Sequence, residues 1–106
     1  DWTLDELMVR GETTYNTFCA ACHQATGLGI PGAFPALANS PVALGPVNEH
    51  IRMVVEGVAG TAMSAFGKQL SDTDVAAVVT YERNAWGNNT GDSVTPQDVA
   101  AFRAGQ

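Results

Sequence analysis

Cys19-Ala20-Ala21-Cys22-His23 holds the only two cysteines of the 106-residue chain, and an imidazole follows the second directly. On a helical turn this spacing puts both thiols on one side and presents the histidine beside them. Two such thiols can form thioether bonds to the vinyl groups of a haem, and the adjoining histidine can then reach the iron; this is the c-type attachment pattern. Three other uses of these residues compete with it. Zinc wants four ligands, and beyond this turn only His50 and scattered carboxylates remain. A thioredoxin-like redox pair needs a βαβ setting, and no strand pattern is present. A disulfide is geometrically awkward at this spacing in a helix and leaves His23 unexplained. Haem attachment employs all three side chains.

A second axial ligand must come from the other side of the ring, far along the sequence and on a loop. Met63 is the candidate. It lies in Gly60-Thr61-Ala62-Met63-Ser64-Ala65-Phe66-Gly67, a stretch with no helical or strand period to explain an apolar residue there. Met8 belongs to the apolar stripe of a first helix and Met53 to a short second one, where packing or surface accounts for them. A thioether is a soft ligand, and His/Met ligation raises the reduction potential relative to His alone. With both axial positions taken, no site is open for substrate, so the pattern implies single-electron transfer and no catalytic residues. His50, beside Glu49 and Arg52, is expected on a solvated polar face, with ligation in place of Met63 as the alternative.

The elements that must position these groups are helical. Thr3 with Glu6 three residues on forms a capping-box pattern and predicts a helix over about 4–21, with Leu4, Leu7, Met8, Tyr15 and Phe18 inward. A Gly- and Pro-rich loop over 24–47 follows, long enough to need a large bound group to organise it. Asn48 is the expected cap of a short helix to about 56, stopped by Gly57. Ser71 with Asp74 predicts a helix to about 86, with Val75, Val78, Val79 and Trp86 inward. Residues 88–94 read as a polar linker, and Thr95-Pro96 opens a last helix to about 103. The expected fold is all-α, three to five helices in a single domain over 1–106.

Five Lys and Arg against eleven Asp and Glu give a net charge of −6. That excludes a nucleic-acid partner, for lack of groups to neutralise phosphates, and suits a basic protein partner through electrostatic steering. No run of eighteen apolar residues and no basic-then-apolar leader is visible, so neither a membrane span nor a signal peptide is expected in the chain.

On these residues the chain resembles the class I cytochrome c family over nearly its whole length. Gly11 and Tyr15 look like that family's Gly-x-x-x-aromatic pair on the first helix, and Val78 and Tyr81 look like the apolar and aromatic pair of its last core helix. A glycine costs the helix about 1 kcal/mol relative to alanine, which a close helix crossing would offset. Pro35-Ala36-Leu37 is similar to the family's Pro-x-Leu segment. That resemblance implies that the Pro35 carbonyl accepts the second ring hydrogen of His23 and that Leu37 lines the haem.

More narrowly, Gly32-Ala33-Phe34-Pro35-Ala36-Leu37-Ala38, the run from Met63 to Asp72, and Tyr81-Glu82-Arg83-Asn84-Ala85-Trp86-Gly87 resemble the C-terminal haem domain of bacterial cytochrome c oxidase subunit II. Val58 stands where that pattern has a basic residue near the haem propionates, and Ser64 replaces a proline. The resemblance implies one covalent haem c, held by Cys19, Cys22, His23, Pro35, Leu37 and Met63, with His23 and Met63 on the iron. It further implies a periplasmic setting or the outer face of the inner membrane, a redox-protein donor, and the oxidase's dinuclear copper centre as acceptor. A free-standing periplasmic carrier and the haem domain of a dehydrogenase or peroxidase are the alternatives.

Overall fold

A computed structural model describes residues 2–30, 36–58, 63 and 65–105, with the backbone alone at Ala21 and Cys22. Helix α1 (Leu4–Phe18) begins with the expected capping box: the Thr3 hydroxyl accepts the Glu6 N–H at 3.1 Å while the Thr3 N–H donates back to the Glu6 carboxylate at 2.9 Å. These two bonds satisfy donors that the first turn leaves without partners. The helix does not run on to residue 21. Cys19 interrupts it at φ −117°, and a separate turn, α2 (Ala20–His23), carries the rest of the motif. Gln24, at φ +68°, ends that turn.

Helix α3 (Val47–Glu56) starts two residues earlier than expected. Pro46 is its N-cap, so Asn48 sits inside the first turn and not at its edge. Gly57 stops the helix at φ +70°, a backbone angle open to glycine at no steric cost. In α4 (Asp72–Asn84) the Ser71 hydroxyl caps the Asp74 N–H at 3.1 Å. This helix ends two residues before Trp86, which takes φ +56° in the turn that follows. Helix α5 (Pro96–Ala104) has Thr95 and Asp98 as a second capping box and proline in its first turn. Every regular element among the described residues is helical.

Helices α1 and α4 cross where Gly11 lacks a side chain. A Cβ there would collide with the Ala77 carbonyl oxygen and stand 2.6 Å from the Tyr81 Cβ, so only hydrogen lets the two backbones approach. Leu7 and Tyr15 are fully buried in that contact together with Val75, Val78 and Val79, whereas Leu4 and Phe18, expected inward, are exposed. The stripe is narrower than its apolar residues suggest because the face that α1 turns to α4 does not take in Leu4 or Phe18. Phe18 instead meets the Phe66 ring edge-on, with centroids 6.0 Å apart.

Residues 88–94 are not helical, yet they are fastened to α4. The Thr80 hydroxyl accepts the Val94 N–H at 2.8 Å and lies 3.2 Å from the Val94 carbonyl, and Asn88 and Val94 are both buried.

Candidate functional site

The attachment turn is held from behind by aromatic side chains. Cys19 is 8% exposed and His23 9% exposed. The His23 N–H donates to the Cys19 carbonyl at 3.0 Å, and the His23 carbonyl accepts the Gly29 N–H at 2.9 Å. Just beyond, the Tyr15 hydroxyl donates to the Gln24 carbonyl at 2.6 Å. Burial pushes the Tyr15 phenol far above its ordinary value of 10, with the nearby Glu82 charge adding to the effect. It therefore stays a neutral donor, and the end of the motif is pinned to α1.

Trp86 closes the same region from the turn that follows α4. Its indole N–H donates to the Ala25 carbonyl at 2.9 Å, and its ring lies against Gly27 so closely that a Cβ there would stand 2.5 Å from Cε3. The Gly27 carbonyl in turn accepts the N–H groups of Leu37 and Ala38 at 2.7 and 3.0 Å. Asn88 completes the tie: its amide nitrogen donates to the carbonyls of Leu37 and Glu82 at 3.0 and 2.8 Å, and its oxygen accepts the Asn39 N–H at 2.7 Å. Trp86, Gly27, Leu37 and Asn88 thus bring the segment around Leu37 onto the attachment turn.

Arg83 braces the loop ahead of α3. Its guanidinium grips both Asp92 carboxylate oxygens at 3.0 and 2.9 Å and donates to the carbonyls of Ala43 and Gly45 at 3.2 and 2.7 Å. The hydrogen bonds from Arg83 hold the Asp92 carboxyl below its usual range, against a smaller opposing effect of burial.

Met63 sits on a different segment. The Met63 carbonyl accepts the Val58 N–H at 3.1 Å, and the chain after it returns to α3, where the Phe66 and Gly67 N–H groups donate to the carbonyls of Val54 and Val55 at 2.9 and 3.1 Å. Arg103 secures the same stretch through the carbonyls of Gly67 and Leu70 at 2.7 and 2.9 Å. Cys19, Cys22 and His23 thus follow one another along a single turn, Leu37 is tied to that turn, and Met63 belongs to the α3 side. Pro35 lies outside the described residues, as do Gly60, Thr61, Ala62 and Ser64 of the methionine loop. The donor chemistry on this turn, a thiol and an imidazole both turned away from water, fits a covalently held metal porphyrin.

His50 is not on a solvated face. It is 2% exposed, and its Nε2 stands 2.5 Å from an Oε1 of Glu82, itself 4% exposed. His50 Nδ1 is buried with no hydrogen-bond partner among the described residues. The spacing carried a signal for this pair: His50 is four residues before Val54 on α3, and Glu82 four after Val78 on α4, so both continue buried apolar rows.

The family model for cytochrome c oxidase, cbb3-type, subunit III matches residues 6–81. Among curated proteins, the chain is 34% identical to the alcohol dehydrogenase (quinone) cytochrome c subunit of Gluconacetobacter polyoxogenes, over 90% of this chain and 22% of that one. It is 36% identical to the gluconate 2-dehydrogenase cytochrome c subunit of Pantoea cypripedii, over 96% and 25%. It also matches cytochrome c-552 of Thermus thermophilus at 37%, over 66% of this chain and 63% of the relative. The chain therefore spans a quarter or less of the length of the two dehydrogenase subunits. Among solved structures, dihydro-heme d1 dehydrogenase NirN in complex with DHE superposes with a TM-score of 0.61 at 32% identity, over 72% of this chain and 16% of that one.

Proposed function

Because this chain belongs to the cytochrome c family of the cbb3-type oxidase subunit III, an electron-transfer family with covalently bound haem c, we propose that it relays electrons to the dinuclear copper centre of a cytochrome c oxidase. Residues 1–106 form one mono-haem domain in this reading. Cys19 and Cys22 would hold the haem through thioether bonds, His23 and Met63 would ligate its iron, and Leu37 would line the ring. By the family resemblance, the Pro35 carbonyl would accept the second ring N–H of His23 and so fix its tautomer. Bound haem supplies an iron that gains and loses one electron. With His23 and Met63 both holding the iron, no site would be left for substrate, and electron transfer would be favoured over oxygen or peroxide chemistry.

The observation that carries the reading is the turn from Cys19 to His23 with its buried thiol and imidazole. The copper acceptor draws support from Arg83-Asn84-Ala85-Trp86-Gly87, the stretch that resembles oxidase subunit II, whose Arg83 and Trp86 lock the loops on either side of Leu37. The setting proposed is the periplasm or the outer face of the inner membrane. Among the described residues no helix is long and apolar enough to cross a membrane. A second reading, the haem domain of a dehydrogenase, rests on the 34% and 36% identical cytochrome subunits.

Rapid mixing of the reduced holoprotein with an isolated, oxidised dinuclear-copper domain tests the acceptor. Loss of the ferrous band in step with copper reduction is expected. Absence of transfer, with fast transfer from a quinone-dependent dehydrogenase core instead, overturns the copper assignment and favours the second reading.

A further inference from the structure

Helix α5 lies beyond residues 6–81, which the family model matches, yet its last turn reaches back to the methionine segment. The Arg103 guanidinium makes three hydrogen bonds there: Nη1 to the Gly67 carbonyl at 2.7 Å, Nη2 to the Leu70 carbonyl at 2.9 Å, and Nε to Asp72 Oδ1 at 2.6 Å. Gly67 and Leu70 belong to a turn closed by the Leu70 N–H on the Phe66 carbonyl at 2.9 Å. A planar guanidinium donates in fixed directions, so meeting all three acceptors at once fixes the turn as well as the side chain. The helix that carries Arg103 is itself firmly seated. Thr95 and Asp98 cap it, Val99 is fully buried, and the Arg52 guanidinium lies over the Phe102 ring, 5.4 Å from its centroid.

From the other side α3 grips the same turn, through the Phe66 and Gly67 N–H groups on the Val54 and Val55 carbonyls. A Cβ on Gly67 would stand 2.9 Å from the Val55 carbonyl oxygen and 3.4 Å from Arg103 Nη1, so the chain there fills the space between α3 and the guanidinium. Phe66, three residues after Met63, carries the contact across to the attachment side. Its ring meets that of Phe18, the residue before Cys19. The turn held by Arg103 is thus the link between the segment of Met63 and the start of the attachment motif.

We propose that Arg103 is a positioning residue for the methionine ligand: by clamping the 66–70 turn against α3 it keeps Met63 on the haem iron. The proposal rests on the reading of Met63 as second ligand given above. A thioether is a weak ligand, so the time it spends on the iron depends on how firmly the protein presents it, and groups that hold a ligand's own segment contribute to that firmness. Arg103 does not touch the iron. It acts through Gly67, Leu70 and the Phe66 ring, and its effect is on the fraction of molecules in which the sulfur is bound.

The test compares Arg103→Gln and Arg103→Lys with the wild type as ferric holoproteins. In both variants the charge-transfer band of the sulfur–iron bond is expected to weaken. Added imidazole, which binds only where the methionine has left, should bind about tenfold more tightly. Hydrogen exchange should quicken at the Phe66 and Gly67 amides, a reading independent of the cofactor. Leu7→Ala, which opens a void in the α1–α4 contact, should lower the melting temperature while leaving the band and the imidazole affinity as in the wild type. Wild-type band and affinity in the Arg103 variants overturn the proposal, as does equal loosening in Leu7→Ala, which would make the effect one of general stability. Loosening in Arg103→Gln but not in Arg103→Lys also overturns it, since charge and not the three-bond grip would then be what matters. Should the Arg103 variants not fold, Asp72→Asn, which alters only the partner of Nε, decides by the same readings. Met63→Ala separates the two readings: a band that survives it means that Met63 is not the ligand, whereas its loss there with the Arg103 variants unchanged overturns the role of Arg103 alone.

Discussion

Gly11 determines how closely α1 and α4 can lie, since even a methyl group there meets the Ala77 carbonyl. Gly11→Ala should therefore cost about 3 kcal/mol despite its better helix propensity, lowering the melting temperature by roughly 15 °C. A smaller fall in calorimetry would mean that the helices can move apart. Arg83 is similarly specific in its geometry. Arg83→Lys keeps the charge but cannot grip both oxygens of Asp92 and reach two carbonyls as well, and a loss of about 3 kcal/mol is expected in denaturant titration. The depressed Asp92 carboxyl gives this contact a pH dependence. Its contribution is complete above the unfolded value near 3.8 and fades as pH falls from there toward the lower folded value. Asp92→Asn should therefore lower stability most at neutral pH and flatten that part of the acid limb, the variant and the wild type converging as pH falls below the folded value. At the proposed ligand, Met63→Ala should lower the reduction potential and open the iron to added imidazole, both read from spectra.

At the scale of elements, the N-termini of α1, α4 and α5 were legible because Thr3, Ser71 and Thr95 are side-chain caps whose chemistry is local. The start of α3 was not, because Pro46 caps without a side-chain bond and Asn48 offered a better local signal. The break at Cys19 also escaped, since Phe18 to Ala21 contain no residue that ends a helix on its own. Five consecutive letters nominated the Cys19–His23 turn, and lack of periodic company nominated Met63 as the proposed second ligand. What joins Leu37 to that turn could not be read, because it depends on Asn88, some fifty positions away, and on Trp86 resting on Gly27. His50 was placed in solvent on the strength of its neighbours Glu49 and Arg52, although its own row on the helix runs into Val54. Asn88→Ala should cost about 2 kcal/mol by stranding the carbonyls of Leu37 and Glu82. Hydrogen exchange should quicken at the Asn39 amide, which bonds to the Asn88 oxygen, while α5 stays protected.

Across the whole molecule the net charge of −6 is accentuated by the fate of its cations: all four arginines sit in ion pairs with Asp or Glu. A basic donor is accordingly expected to react faster as salt is withdrawn, severalfold between 150 and 10 mM in stopped-flow measurements, with a rate indifferent to salt excluding electrostatic steering. The packing of Trp86 has an optical consequence. Its ring is 4.9 Å from that of Tyr15 and 5.5 Å from that of Tyr81, and its N–H is bonded to Ala25 two residues beyond His23. Light absorbed there would pass to a porphyrin on the adjoining turn before it could be re-emitted. In a Trp2→Phe background, fluorescence would therefore be dark in the intact molecule and brighten as the turn parts from α4, a lamp built in beside the cofactor that signals detachment without any added dye.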